Sequence, residues 1–145
     1  MATATITITG TNDDPTISGA VTAAADEDGN AITVDLLDGA ADVDNGAELS
    51  VADVTGLTAG VTLVGATISV DPSDAAFQAL ADGETETITL SYNIVDGEGG
   101  TVAQTATITI TGTNDDPTVS GAVTAAADED ADAITVDLLD GADDV

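Results

Sequence analysis

The sequence predicts an all-β fold, a sandwich of two sheets with seven strands and one short helical turn. Apolar residues alternate with threonine over long stretches, and Gly, Asp and Asn turns divide the chain into short segments. Of the 145 residues, 43% are hydrophobic, although the chain has one Phe, one Tyr and no Trp. We therefore expect a core of Ile, Val, Leu and Ala between two sheets.

Five short strands are expected first, each bounded by turn residues. They cover residues 16–21, 31–37, 48–54, 61–64 and 66–70. A single helical turn follows, because Asp71 can cap a helix, Pro72 suits its first position and Gly83 can end it. Three apolar residues of this turn have the spacing to cover one end of the core: Ala76, Phe77 and Leu80.

Two long strands are expected at residues 84–95 and 101–111, where apolar and polar residues alternate. One side of the first strand carries Glu86, Ile88, Leu90, Tyr92 and Ile94. The core side of the second strand carries Val102, Ala106, Ile108 and Ile110. Threonine occupies most outward positions of both, and this period of two is typical of a strand with one buried face.

An internal repeat divides the chain. Residues 3–43 return at 105–145, an offset of 102, with four differences: Ile17/Val119, Gly29/Ala131, Asn30/Asp132 and Ala41/Asp143. A period near 100 residues fits one small domain per repeat better than a solenoid turn. We interpret 1–11 as the last strand of one repeat, 12–113 as a complete sandwich repeat and 114–145 as the N-terminal part of the next. A single strand is hard to keep ordered alone, so the two partial repeats could complement each other head to tail.

The charge of the chain sets the conditions under which it folds. It has 28 acidic residues and no Lys, Arg or His, which gives a net charge of −28. Two carboxylates about 4 Å apart repel by roughly 4 kcal/mol at an effective dielectric constant near 20. This repulsion between carboxylates must be reduced by bound cations, by salt or by unfolding of the chain. High charge with few aromatic residues favours disorder, but the hydrophobic content and the alternation favour a conditionally folded domain.

Composition also excludes several function classes. Nucleic acid binding requires basic residues, and the chain has none. No apolar run approaches the ~20 residues that span a bilayer, so we expect no direct membrane insertion. An enzyme with a small-molecule substrate is not expected, because His, Cys, Lys and Arg are absent and Tyr92 is on the predicted core face. Paired carboxylates can hydrolyse glycosides, but no aromatic sugar platform accompanies them.

The carboxylates concentrate in predicted turns, at Asn12–Asp14, Asp26–Asp28, Asp38–Gly46 and Asp96–Gly100. Calcium takes six to eight oxygen ligands, and it can replace the disulfides that a chain without Cys lacks. Alternate acidic residues in one turn, as in Asp26-Glu27-Asp28 and Asp42-Val43-Asp44, can aim oxygens at one point. None of these turns matches an EF-hand loop, so calcium sites must be assembled from separate turns. The alternative is that each acidic turn is solvated surface.

The strings GTNDDP, DGEGGT, DED and LLDGAADVD together resemble the bacterial cadherin-like or immunoglobulin-like repeats of large calcium-dependent adhesins secreted by the type I route. The pattern is also similar to VCBS repeats and to the extender repeats of ice-binding adhesins. The resemblance implies an immunoglobulin-like or cadherin-like sandwich on the cell surface. It further implies several calcium ions at the linkers, which hold neighbouring repeats in a stiff rod.

The resemblance also implies ligands in this sequence. The first linker site would be Asn12, Asp13 and Asp14, with Asp26, Glu27, Asp28, Asp96 and Glu98 around the same junction. The second linker site would be Asn114, Asp115 and Asp116. The acidic turns add further candidate metal ligands: Asp38, Asp42, Asp44, Asp128, Glu129 and Asp130.

We therefore expect a calcium-stiffened extender repeat of a secreted cell-surface adhesin, whose partners are the neighbouring repeats of the same chain. The alternative is a ligand-binding module of the same adhesin, for sugar, peptide or ice. The threonine row Thr3-x-Thr5-x-Thr7-x-Thr9 suggests ice. Near identity of the two copies and the scarcity of aromatic residues favour the spacer.

Overall fold

The computed structural model describes residues 1–145 and contains eleven strands and no helix. The strands are β1 (Thr16–Ile17), β2 (Val21–Asp26), β3 (Ile32–Asp35), β4 (Ala40–Ala41), β5 (Ser50–Thr55), β6 (Val61–Val64), β7 (Thr67–Val70), β8 (Thr85–Val95), β9 (Thr101–Thr111), β10 (Thr118–Val119) and β11 (Ala142–Asp143). No helix of the structure has the length and apolar character required to cross a membrane.

Seven of these strands form the expected sandwich of two sheets. One sheet has four strands in the order β2-β9-β8-β5, and the other has three in the order β3-β7-β6. All neighbours are antiparallel except β2 and β9, which run parallel, with Val21 beside Ala106 and Asp26 beside Thr111. The all-β sandwich is therefore confirmed. Two short strand pairs lie outside it, β1 with β4 and, in the second copy, β10 with β11.

The core lies between the two sheets and is aliphatic apart from one Phe and one Tyr. Its buried members are Val21, Val34, Leu36, Val61, Ile68, Val70, Phe77, Ile88, Leu90, Tyr92, Ile94, Ala106, Ile108 and Ile110. The alternation in β8 and β9 predicted the buried face of both strands correctly, and Val102 packs against this core half-buried.

Tyr92 joins the two sheets through its hydroxyl group. Its O–H donates a 2.9 Å hydrogen bond to the Leu36 carbonyl, on the chain that leaves β3. Burial raises the pKa of Tyr92, and the negative charge of Asp35 raises it further. The phenol therefore stays protonated at neutral pH and remains a donor.

The expected helical turn is wrong: residues 71–83 form successive turns. Three backbone hydrogen bonds join residues three apart, with the N–H groups of Asp74, Phe77 and Leu80 as donors. They do not overlap into a helical ladder, and a segment this short has no length to offset helix nucleation. The side chains of Asp71 and Asp74 cap the turns instead, by accepting N–H bonds from residues two positions on. Phe77 is buried and Leu80 packs against the core, but Ala76 is exposed.

The strand expected over residues 16–21 is also wrong. The chain forms β1, bends near Gly19 and continues as β2 from Val21 to Asp26. Alanine is depleted in strands, and β2 has the sequence VTAAAD. Its strand conformation comes from its pairing with β9, which local sequence does not reveal.

The two partial copies have far less structure than residues 12–113. Residues 1–11 form no strand and are exposed. Residues 123–128 repeat the sequence of β2 but form no strand either. The second copy keeps only the β10–β11 pair, with Thr118 opposite Asp143.

Candidate metal centre

The turn between β8 and β9 closes around the Asp96 carboxylate, which is 3% exposed. Its Oδ1 accepts backbone N–H bonds from Glu98, Gly99 and Gly100 at 2.7, 3.0 and 3.0 Å. Its Oδ2 accepts a second bond from Gly100 at 3.1 Å and one from the Asn12 side-chain amide at 2.8 Å. Asp96 therefore holds both its own turn and Asn12, the third residue of the GTNDDP segment at residues 10–15, which we call the first linker; its repeat copy at residues 112–117 is the second linker.

The glycines of this turn are required by its geometry. Gly97 and Gly99 have φ of 81° and 116°, which side chains rarely adopt. A Cβ on Gly100 would collide with Asp96 Oδ2 and would lie 3.1 Å from the Asp13 carbonyl oxygen. The DGEGG sequence thus lets the backbone wrap one carboxylate and approach the linker closely.

The Asn12 amide is the main reason that the pKa of Asp96 lies below its ordinary value. Desolvation opposes this effect, and the backbone N–H groups of Glu98, Gly100 and Gly99 lower the pKa further. Asp96 is therefore a carboxylate that remains ionised at mildly acidic pH.

Replacing Asp96 by Asn should destabilise the chain at neutral pH, with an effect that fades in acid. A lowered folded-state pKa means that this stabilisation is complete above the ordinary value of 3.8. It is lost as the pH falls through the lowered folded value. Urea unfolding of the parent and Asp96→Asn at pH 7 and pH 3 measures this difference.

The matched control is Asp38→Asn, because Asp38 is exposed and its carboxylate accepts no hydrogen bond. This control should unfold like the parent at both pH values. If Asp96→Asn lowered the free energy of unfolding by the same amount at pH 7 and pH 3, this would contradict the stabilising role assigned to the ionised Asp96 carboxylate.

Two further contacts attach the linker to the domain that follows it. The Asp13 N–H donates to Asp44 Oδ2 at 2.7 Å, and Asp14 Oδ1 accepts the Thr101 N–H at 3.3 Å. The Asp44 N–H in turn donates to Asp42 Oδ1 at 2.8 Å. The other oxygen of Asp42, Oδ2, is buried and has no hydrogen-bond partner.

A depression of about 210 Å³ lies where the linker meets these acidic turns. Its lining residues are Gly10, Thr11, Asn12, Asp44, Asn45, Ala47 and Glu98. The carboxylates of Asp44 and Glu98 and the amide groups of Asn12 and Asn45 offer oxygen atoms, and none of the lining residues is basic. This end of the sandwich is therefore suited to a hard cation.

The opposite end of the sandwich holds a second buried carboxylate, that of Glu27. Glu27 is 2% exposed, directly after β2, and its N–H donates to the Thr111 carbonyl at 2.8 Å. Its Oε1 accepts the Thr113 N–H at 2.9 Å, whereas its Oε2 is buried with no hydrogen-bond partner. Asp28, beside it, has φ of 60° in the tight turn closed by the bond from Gly29 N–H to the Asp26 carbonyl.

The expectation that the DED turn and the DGEGG turn meet at one junction is wrong within this repeat. Because β2 is parallel to β9, Asp26 lies beside Thr111 at the end of β9. Asp96 lies before the start of β9, next to the first linker. Eleven residues of β9 separate the two turns, so Asp26–Asp28 face the second linker.

The remaining predicted metal ligands join neither the contacts around Asp96 nor the contacts around Glu27. Asp38 is exposed in its turn, and its N–H donates to the Asp35 carbonyl at 3.3 Å. In the second copy Asn114 donates to the Asp115 carbonyl at 2.7 Å and reaches no carboxylate. Exposed residues of that copy include Asp116, Asp128, Glu129 and Asp130.

Sequence reasoning missed two acidic residues at the second linker. A depression of about 220 Å³ brings Asp82 and Asp144 together with Asn114 and Asp115. The triplet Asp82-Gly83-Glu84 repeats the Asp-Gly-Glu of the turn at Asp96, and that likeness was the signal available. Asp144 is the repeat copy of Asp42.

The structure contains no group of three or more acidic side chains placed to hold a metal ion. A calcium ion also accepts amide and backbone oxygens, and both linkers supply these beside acidic side chains. The partnerless oxygens of Glu27 and Asp42 fit a cation, because an ionised buried oxygen without a partner is costly.

A comparison with protein families matches residues 11–111 to the model described as a cadherin-like domain. The match spans all seven strands of the sandwich and residues 11–15 of the first linker. No curated protein matches the chain.

Proposed function

The chain belongs to the cadherin-like domain family, and from this premise we propose that it is a calcium-stiffened extender repeat of a large secreted cell-surface adhesin. Domains of this family are typically extracellular adhesion-type repeats that connect to adjacent repeats, and they generally bind calcium. They are structural and are not typically enzymes. The role proposed for this chain is to hold a distal binding domain away from the cell.

One observation carries the proposal: a buried carboxylate oxygen without a partner lies at each end of a repeat that has no basic residue. Glu27 Oε2 lies at the end that leads into the second linker, and Asp42 Oδ2 lies among the turns that hold the first. Neither oxygen can find a cationic side chain, since the chain has no Lys, Arg or His. A bound divalent cation would satisfy both.

The two ends combine into one junction when repeats follow one another. Glu27 accepts from Thr113 at the start of the second GTNDDP linker. In the first GTNDDP linker the contacts lie further along the same six residues. There the Asn12 side-chain amide donates to Asp96, and the Asp13 N–H donates to Asp44. In an array, each linker would therefore be held by the preceding repeat at its first residues and by the following repeat at its last.

Candidate ligands for the preceding repeat's side of the junction are Glu27, with Asp26, Asp28 and Asp82 nearby. For the following repeat's side they are Asp42, Asp44 and Glu98, with Asn12, Asp13 and Asp14 on the linker. Asp96 has N–H partners on both oxygens, so we assign it to positioning the linker. Asp38 is not assigned a role at the junction. Calcium would supply the positive charge that cancels repulsion between the facing ends.

The proposed stiffness follows from the short segment between the contact of the linker with the preceding repeat and its contacts with the following repeat. Pro15 is buried immediately after Asp14 and has a fixed φ. Only Asn12, Asp13 and Asp14 lie between Thr11 and this proline. A cation bound between the linker and both domain ends would remove most of the remaining freedom of the joint.

With calcium, an array of three copies of residues 12–113 should have a larger maximum dimension and a narrower distance distribution than with a chelator. Small-angle X-ray scattering measures the maximum dimension in the two conditions. The control is magnesium at equal concentration, which prefers a tighter octahedral site and should restore less of the length. An equal maximum dimension with calcium and with chelator would rule out the stiffening role.

Replacing Glu27 by Gln should have opposite effects with and without calcium. Gln keeps an acceptor for the Thr113 N–H but removes the charge on the buried carboxylate. With a chelator, Glu27→Gln should melt at or above the parent temperature, because an uncompensated charge has gone. With calcium it should melt lower and bind calcium about tenfold more weakly or worse, a loss of about 1.4 kcal/mol.

Melting curves and calcium titrations by calorimetry test this reversal, at low protein concentration. The control Glu129→Gln changes the repeat copy of Glu27, which is exposed, and should match the parent in both conditions. A Glu27→Gln chain with unchanged calcium binding would remove Glu27 from the site.

The ligand-binding alternative finds less support in the surface of the sandwich. The outer face of β5, β8 and β9 has a depression of about 430 Å³ whose polar residues include Asp53, Asn93 and Gln104. The Asn93 amide already donates to Asp53 at 3.0 Å. Both aromatic residues, Phe77 and Tyr92, are buried in the core, so no aromatic face is available for sugar stacking.

A further inference from the structure

Asn45 and Gly46 form the only Asn-Gly pair of the chain, and they lie in an exposed turn. The turn runs from Asp44 to Ala47 and is closed by a hydrogen bond from the Ala47 N–H to the Asp44 carbonyl at 3.3 Å. Asn45 and Gly46 occupy its two central positions. Every other asparagine precedes a residue that carries a side chain: Asn12, Asn30, Asn93 and Asn114.

Hydrogen bonds leave the backbone nitrogen of Gly46 and the side-chain amide of Asn45 free. The Gly46 N–H donates no backbone hydrogen bond. The Asn45 amide makes no hydrogen bond either, in contrast to those of Asn12 and Asn93, which each donate to a carboxylate at 2.8 and 3.0 Å. Gly46 has φ of 96°, and a Cβ built on it would meet no atom within 4 Å. The two groups can therefore approach each other without breaking a contact.

We propose that Asn45 is a site of spontaneous deamidation, which changes the charge and the backbone length of the turn that contacts the first linker. The Gly46 nitrogen loses its proton to base and attacks Cγ of Asn45. The new N–Cγ bond closes a succinimide ring, and Nδ2 takes up a proton and leaves as ammonia. Water then opens the ring. The net reaction consumes one water and releases one ammonia, so it requires no oxidant and no enzyme.

The glycine after Asn45 is what distinguishes this asparagine chemically. A Cβ on the following residue would crowd the attacking nitrogen and restrict its backbone rotation, and glycine is free of both restrictions. Asn30 is the closest comparison, because it is also exposed and its amide also makes no hydrogen bond, but Ala31 follows it. Asn45 should therefore react before the other asparagines.

The succinimide ring opens to two products that affect the first linker differently. Breaking the N–Cγ bond gives aspartate, which adds a carboxylate to the depression that Asn45 lines together with Asp44 and Glu98. Breaking the other C–N bond of the ring gives isoaspartate, in which the backbone runs through Cγ and is longer by one carbon. The longer turn would displace Asp44, whose Oδ2 accepts the Asp13 N–H at 2.7 Å. Isoaspartate should therefore loosen the linker, whereas aspartate keeps the turn.

Mass spectrometry of the folded chain after incubation in isotope-labelled water at mildly alkaline pH tests the site. Cleavage at glutamate releases residues 28–48 as one peptide, which carries both Asn45 and Asn30. Asn45 should incorporate heavy oxygen about tenfold faster than Asn30 or more, because a glycine follows it. Equal rates at the two residues would overturn the proposal.

Two variants isolate the role of the following glycine. Ala31→Gly gives Asn30 the same successor as Asn45 at an exposed position, and it should raise the Asn30 rate toward the Asn45 rate. Asn45→Gln keeps an amide, but ring closure then requires a larger ring, so incorporation at this position should be lost. An Asn30 rate that stays unchanged in Ala31→Gly would contradict the mechanism.

Hydrogen exchange of the Asp13 amide, measured in a chelator, reports the effect on the linker independently of calcium. A chain incubated until Asn45 has reacted, here called the aged chain, should exchange this amide faster than fresh chain. Asn45→Asp has the aspartate product's normal backbone and should exchange like fresh chain. The same exchange rate in aged and fresh chain would overturn the effect on the linker.

The effect on calcium binding rests on the proposed function, whereas the deamidation does not. With calcium in the depression, Asn45→Asp should bind the ion more tightly than the parent, and the aged chain should bind it more weakly. Deamidation with faster Asp13 exchange but with unchanged calcium affinity would support this proposal and count against the proposed function. Calcium binding by a chain whose Asn45 does not react would count against this proposal alone.

Discussion

Removal of calcium by a chelator should lower the midpoint of thermal unfolding of this chain by about 10–40 °C. A ligand present at 100 times its dissociation constant adds about 2.7 kcal/mol to stability, and the calcium proposal places one ion at each of the partnerless oxygens of Glu27 and Asp42. For a domain of this size, each kcal/mol moves the midpoint by roughly 2–8 °C. Differential scanning calorimetry with calcium and with EDTA gives the shift directly.

Salt distinguishes site binding from general screening in this experiment. With a net charge of −28, sodium chloride should also stabilise the chain, because it shortens the Debye length to about 8 Å at 0.15 M. A specific site predicts that millimolar calcium exceeds the effect of sodium chloride at equal ionic strength. An identical melting temperature in calcium and in EDTA would refute the calcium proposal.

Replacing Phe77 by Ala should be the most damaging single substitution, with a cost of about 3–5 kcal/mol. Phe77 is 1% exposed, and its ring lies against the bare backbone of Gly60, where a Cβ would collide with it. No other large aromatic side chain lies nearby to refill the space, since Tyr92 is held by its bond to Leu36. Small domains have only about 5–15 kcal/mol of stability, so this variant should unfold at much lower urea concentration.

Urea unfolding in saturating calcium measures the effect of Phe77→Ala. The control is Val64→Ala, because Val64 is 77% exposed and its replacement should cost less than about 0.5 kcal/mol. Similar midpoints for the two variants would mean that the turns at residues 71–83 do not close the core.

The long strands could be predicted from the sequence because their information is local. In β8 and β9 the alternation of Ile or Leu with Thr identifies both the strand and its buried face, and the bounds agree within one residue. The turn glycines that divide the remaining strands, such as Gly60 and Gly65 with φ of 74° and 62°, were equally visible. The two-sheet class followed from these signals, but the first of the seven expected strands, at residues 16–21, was misplaced: the sandwich strand is β2 at Val21–Asp26.

Spatial grouping of the acidic turns could not be predicted in the same way. The DED turn follows β2, and its position depends on whether β2 runs parallel or antiparallel to β9. The sequence VTAAAD does not indicate the direction of this pairing, because the partner strand is distant in sequence. Val21 pairs with Ala106, which lies 85 residues further along the chain. The parallel pairing sends Glu27 to the second linker, where the Thr113 N–H meets it.

Four features could be read from the amino acids alone: the period of the repeat, the strands with strict alternation, the lack of any basic partner for the carboxylates and the turns in which the carboxylates lie. Two features required the folded chain: which segments become strands where the pattern is weak, and which turns meet. Residues 21–26 and 123–128 demonstrate this, since the same six letters form β2 in one place and no strand in the other. The physical reason is that a strand's backbone hydrogen bonds come from its neighbour, so its formation depends on a segment distant in sequence.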